Sequence, residues 1–153
     1  MTGKDSRRTF TLEEANQRLP LVRAIVQDIV DLFRDVSERR DRLATIRARH
    51  GADSASSSLY SEENEQIEQD LKHDEERLRG FIDELHELGI EFKDPVKGLV
   101  DFPSMADGRV VYLCWMLGEP EVRFWHELEE GFGGRQPILV ESIATSDSAD
   151  TES

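Results

Sequence analysis

Residues 19–36, LPLVRAIVQDIVDLFRDV, decide the fold. Within them Leu19, Val22, Val26, Ile29, Phe33 and Val36 recur in alternating steps of three and four, the seam of a helix that packs lengthwise on another helix. Leu21, Ile25, Val30 and Leu32 widen that seam, so this half of the helix is apolar over more than one face and must cover two neighbours. Further on the stripe continues through Arg40, Leu43 and Arg47, but only Leu43, Ala44 and Ile46 keep it apolar. Arg47, Arg49 and His50 suit the negative end of the helix dipole, and Gly51 supplies a left-handed cap.

Upstream, Thr11 and Glu14 form a capping box, which satisfies two amides at a helix start. Pro20 then predicts a break near Leu19, with the long helix beginning at the proline, because a proline fits the first turn of a helix and clashes in its middle. Downstream, residues 52–58 are small and polar, and Ser61 predicts the cap of a second helix. Ile67, Leu71, Asp74, Leu78, Phe81, Leu85 and Leu88 repeat the spacing of three and four, and Gly89 followed by Ile90 reads as a helix stop. Two long helices around a short connector fold back antiparallel. The second is strongly acidic, so the arginines of the first are expected to face it, with Arg40 opposite Asp74.

The period changes after Gly89. Leu99–Phe102, Val110–Met116 and Glu121–His126 read as three strands, joined by Asp107-Gly108 and by a turn over 118–120. The expected fold class is therefore α+β: a long antiparallel, coiled-coil-like helical hairpin packed at its base on a small three-stranded antiparallel β meander. The expected organisation is a disordered N-terminus (1–9), one domain (10–141; hairpin 11–90, β unit 91–141) and a disordered acidic tail (142–153). Along the central strand Tyr112 and Cys114 face one way, and Val111, Leu113 and Trp115 the other.

A chain of 153 residues supports one real core. Its charged fraction of 34% and apolar fraction of 37% suit an elongated helical protein with much exposed surface. A net charge of −14 argues against nucleic acid, whose phosphates need a surplus of Lys and Arg. No apolar run reaches the roughly 20 residues that span a bilayer. The single cysteine makes no internal disulfide, and the chain opens without the apolar core of a signal peptide. A cytoplasmic location, away from membranes, is the expectation.

The C-terminal unit also carries a resemblance. Gly98-Leu99-Val100-Asp101-Phe102-Pro103, Leu113-Cys114-Trp115, Gly118-Glu119, Trp125-His126, Gly131-Phe132 and Gly134-Arg135 resemble the prokaryotic family called domain of unknown function 2203. Phe10-Thr11-Leu12-Glu13-Glu14-Ala15 and Leu19-Pro20 resemble its opening. The resemblance spans about residues 9–138 and implies no established activity.

Within this unit the residues with chemistry are Asp101, Cys114, Glu119 and His126, with Arg135 as an anion clamp. Asp101, Glu119, His126 and Arg135 form a candidate ligand patch, and Cys114, His126 and Glu119 are donors that zinc accepts. None of the close ligand spacings typical of zinc sites is present, and a lone cysteine is most often a small buried apolar residue. A histidine at a strand end equally serves as a hydrogen-bond partner for Asp101 or Glu119. Trp115, Trp125, Phe124 and Phe132 read as core against the first helix. The glycine-rich stretch 131–134 lacks the lysine and helix of a phosphate-binding loop. With no complete catalytic set, the sequence favours a non-enzymatic interaction or assembly module that acts through the hairpin, by self-association or with a protein partner, and needs no cofactor. The alternative is a small-molecule- or metal-binding protein, with zinc as the ion and a hydrolase as one form of it.

Overall fold

The structure, a computed structural model, describes residues 8–50 and 58–139. The expected Gly51 cap, most of the 52–58 connector, the first residues of the N-terminal segment and the 142–153 tail lie outside the described residues. Helix α1 runs Leu12–His50 and helix α2 Ser58–Glu87. Five strands follow: β1 Glu91–Asp94, β2 Leu99–Ala106, β3 Arg109–Met116, β4 Phe124–His126 and β5 Gln136–Pro137. They form one antiparallel sheet in the order β1-β2-β3-β4-β5. The class is α+β as expected, but the sheet has five strands rather than three. Both additional strands are short and lie at the sheet's edges, where four and two residues are too few for an alternating pattern to register.

The helix start is as expected: Thr11 N–H donates to Glu14 Oε1 at 2.9 Å, and Glu14 N–H to Thr11 Oγ1 at 3.0 Å. The expected break at Pro20 is absent, and α1 passes through the proline. Pro20 costs the hydrogen bond to the Asn16 carbonyl, about 3 kcal/mol in a helix interior. Leu19, Val22 and Val26 flank it at 3%, 0% and 0% exposure, and burying such side chains contributes about 1.5–3 kcal/mol each. The burial outweighs the break.

Helix α2 begins one turn ahead of the expected Ser61. It ends where Gly89 N–H donates to His86 O at 2.9 Å and Ile90 N–H to Leu85 O at 2.9 Å, the paired bonds of a Schellman stop, with Ile90 fully buried.

The main core lies between the base of the hairpin and one face of the sheet. Val22, Val26 and Ile29 of α1 and Leu85 of α2 meet Val100, Phe102, Leu113 and Trp115. The doubled apolar width of α1 is thereby used on α2 and the sheet together, except that Leu21 is 52% exposed. Gly98 marks how close the layers come. It has φ +71°, and a Cβ there would lie 2.7 Å from Leu117 and 3.1 Å from Val26 and Val30. Two longer-range hydrogen bonds tie α1 to the loop after β3: Val122 N–H to Asn16 Oδ1 at 2.7 Å, and Arg23 Nη2 to Pro120 O at 3.1 Å.

The outer half of the hairpin has a separate small cluster of Val36, Leu43 and Leu71, with Leu32 and Ile67 packed beside it. Around it Arg39 pairs with Asp74, and Arg40 with Glu75 at 2.8 Å and Glu68 at 3.5 Å. The expected Arg40–Asp74 pair is thus displaced by one position.

Candidate functional site

The β2–β3 hairpin sets the site. Asp107 and Gly108 both have positive φ, 52° and 80°, the requirement of a two-residue type I′ turn. That turn pairs Ala106 with Arg109 and, counting back, Asp101 with Cys114. On the next strand Cys114 pairs with Phe124 and Tyr112 with His126. His126 is therefore the diagonal neighbour of Cys114 on the same face. Val100, Phe102, Leu113 and Trp115 point from these strands into the helical core. Asp101, Cys114 and His126 consequently share the opposite face of the sheet.

There the three side chains converge. One ligand-type atom from each, a carboxylate oxygen, Cys114 Sγ and an imidazole nitrogen, all lie within 4.8 Å of one another. Their residues are only 2%, 0% and 2% exposed. Polar groups buried so deeply need partners, and each has one. His126 Nδ1 lies 2.7 Å from Glu127 O, and since a carbonyl only accepts, Nδ1 carries a proton and donates. That directs Nε2 at Asp101 Oδ1, 3.0 Å away. Two bare acceptors would repel at that distance, so one proton lies between them. Burial raises the Asp101 pKa, while His126, Cys114 and Lys93 draw it back down. Burial, reinforced by the Asp101 charge, pushes the Cys114 thiol up to about 12.

The arrangement does not suit thiol nucleophilic chemistry. Such chemistry needs a thiolate, and an imidazole placed on the sulfur as its base. Here Cys114 is a protonated thiol hydrogen-bonded to Asp101, and the imidazole also points at Asp101. The donor set does suit a metal. Sulfur, nitrogen and carboxylate oxygen are the ligands zinc takes, at about 2.0–2.3 Å, which places them roughly 3.3–3.8 Å apart around a tetrahedral ion. From a spread of 4.8 Å the cluster needs to contract by about 1.5 Å at most, by that geometry. Moreover, the bond from His126 Nδ1 to a backbone carbonyl fixes the tautomer with Nε2 inward, as metal-binding histidines require.

Above the cluster a polar group closes the solvent side. Lys93 Nζ lies 3.9 Å from Asp101 Oδ2, 3.0 Å from Glu91 Oε1 and 4.9 Å from the Tyr112 ring centroid. Tyr112 Oη donates to the other Glu91 oxygen at 2.8 Å.

Glu119 and Arg135 form a second polar pair beside this cluster, and Arg135 Nη2 also donates to the Cys114 carbonyl at 3.5 Å. Glu119 Oε1 accepts from Met116 N–H at 2.9 Å and from Arg135 Nη2 at 2.8 Å. The Arg135 guanidinium stacks 4.0 Å from the Phe124 ring centroid and 4.9 Å from that of Phe132. Its partner is thus a carboxylate of the chain itself, and the pair braces the 117–120 turn against the 131–135 loop. Trp115 and Trp125 pack with the helical core, whereas Phe124 lies on the opposite face and Phe132 is 36% exposed, apart from the core in which they were expected.

Of the residues singled out in the sequence, then, Asp101, Cys114 and His126 come together, while Glu119 and Arg135 pair with each other. Asp101 as a companion of Cys114 was readable from the Asp107-Gly108 turn alone. Lys93 and Glu91 had no such signal, because they lie on a strand too short to recognise.

Fold and cluster together define an α+β protein whose helical hairpin stands on one face of an antiparallel sheet and whose other face buries an Asp/Cys/His set. The chain belongs to the family described as uncharacterized conserved protein, domain of unknown function 2203, which matches residues 8–138. No curated protein and no solved structure matches it. No helix among the described residues is long and apolar enough to cross a membrane.

Proposed function

We propose that this protein binds a divalent metal ion, zinc by its donor chemistry, through Asp101, Cys114 and His126. The observation that carries this reading is the convergence of three different ligand types, one from each of three neighbouring strands, at a site with almost no exposure. A buried carboxylate, thiol and imidazole add little as core, because burying polar groups costs free energy that apolar side chains would not. An ion there ties β2, β3 and β4 together and leaves a fourth position for water or a small ligand, the pattern of zinc sites that act on bound molecules.

Dialysis against zinc followed by metal analysis and native mass spectrometry tests the reading. The expected result is one ion per chain, lost in Cys114→Ser and in His126→Asn, with circular dichroism confirming that both variants fold. At free zinc a hundred times the Kd, the thermal midpoint should rise by the equivalent of about 2.7 kcal/mol. A wild-type chain that retains no zinc overturns the reading.

A second reading, association through the outer half of the hairpin, is favoured by one observation: Leu43 and Leu71 are the only buried apolar side chains described beyond Val36 on α1 and ahead of Leu85 on α2. The occupant it names is a second copy, because the exposed charges nearest the tip are of opposite sign, Arg42 and Arg49 on α1 against Glu62, Glu63 and Asp70 on α2. A monomer by native mass spectrometry at high concentration removes this reading.

A further inference from the structure

Resting on the metal reading, we infer that Lys93 is a tethered counter-cation that an incoming divalent ion must displace, and that it sets how tightly the site holds metal. Asp101 is almost wholly buried, and its two oxygens face different partners. Oδ1 meets His126, whereas Oδ2 faces the Lys93 ammonium at 3.9 Å. Asp101 and His126 have side chains 3% exposed, but Lys93 is 38% exposed, so the lysine lies on the solvent side of the cluster. An ion that approaches the carboxylate from that side meets a positive charge already in place.

The ammonium also has somewhere to go. Glu91 Oε1 holds it at 3.0 Å, the Tyr112 ring lies beneath it, and the Tyr112 hydroxyl steadies the other Glu91 oxygen. When metal enters, Lys93 needs only to give up the longer of its two ion pairs, the one to Asp101, while it keeps Glu91 and the aromatic face. Two positive charges beside one buried carboxylate repel more strongly than they would in water, because the low polarity of the surroundings weakens screening.

The test is a zinc titration of the full chain in competition with a chromophoric chelator, comparing wild type with Lys93→Met, Lys93→Gln and Lys93→Arg. The neutral variants should bind on the order of tenfold more tightly or better, and the arginine variant, which keeps the charge, should bind within a few-fold of wild type. Two neutral replacements guard against a folding artefact, and a partly exposed lysine tolerates either. If wild type takes up zinc while both neutral variants bind equally or more weakly, this inference is overturned and the metal reading stands. If wild type takes up no zinc, the metal reading fails, and this inference with it.

Discussion

The base and the outer half of the hairpin share one heptad spacing and are held by different forces. At the base, Val22, Val26, Ile29 and Leu85 are fully buried against the sheet, and Phe102 and Trp115 fill the other side. In the outer half Leu43 and Leu71 are the buried pair beyond Val36. Apart from the partly buried Leu32 and Ile67, its cross-helix partners are charged: Arg39 with Asp74, Arg40 with Glu75 and Glu68, and Arg47 with Glu68 at 3.2 Å. Ion pairs as exposed as those of Arg40 and Arg47 contribute about 0–1 kcal/mol each, less than one well-buried leucine. A shared periodicity therefore specifies the helical register in both halves but anchors only one of them.

The sharpest way to break this contrast is at the base. Phe102→Ala, at a position with no exposure, should cost about 3–5 kcal/mol in global stability, read as a shift of the denaturant midpoint. Leu71→Ala is equally buried but lies in the arm. It should lower the free energy of local opening over the arm by about 2 kcal/mol or more, seen in amide exchange, while the global midpoint moves by less than about 1 kcal/mol. Equal global effects for the two variants would show that arm and base melt as one unit.

Acid provides a subtler probe. Hydrogen bonds from Arg39 and Arg40 hold the Asp74 and Glu75 carboxyls below their ordinary values of 3.8 and 4.5. A depressed carboxylate stabilises fully above its ordinary value, and the contribution is lost as pH falls through the folded value. Arm protection should therefore fall as pH drops below those ordinary values, before that of the base. The smallest effect belongs to Arg40→Gln, about 0.5 kcal/mol, and it should vanish in high salt.

The same division governs what the sequence discloses. The hairpin is legible because its period runs over many turns and its ends carry chemical stops, Thr11/Glu14 and Gly89-Ile90. Pro20 misleads because a local clash is weighed without the core that lies on both sides of it. The arginine pairing is off by one position because it depends on the path of the connector, which the heptads do not encode. At the site, Cys114 and His126 stand twelve residues apart with no ligand spacing to link them, and only strand register brings them together. That register was available from Asp107-Gly108, which places Asp101 opposite Cys114. Glu119 lies beside the group rather than in it because it sits in the turn after β3, where the Met116 amide and Arg135 engage its carboxylate.

Cys114 permits a clean check of the site's burial, since it is the only cysteine in the chain. With its thiol pushed up to about 12, it should resist alkylation at neutral pH in the native protein and react at once in denaturant.

The central claim, that the outer face of the sheet holds a divalent ion through Asp101, Cys114 and His126, is tested most directly with cobalt(II), which occupies zinc sites and reports its ligands by colour. Wild type should develop thiolate-to-cobalt charge-transfer absorption in the near ultraviolet and strong tetrahedral bands in the visible, saturating at one equivalent, while Cys114→Ser develops no charge-transfer band. A wild-type titration that yields only the pale spectrum of hydrated cobalt would contradict the account.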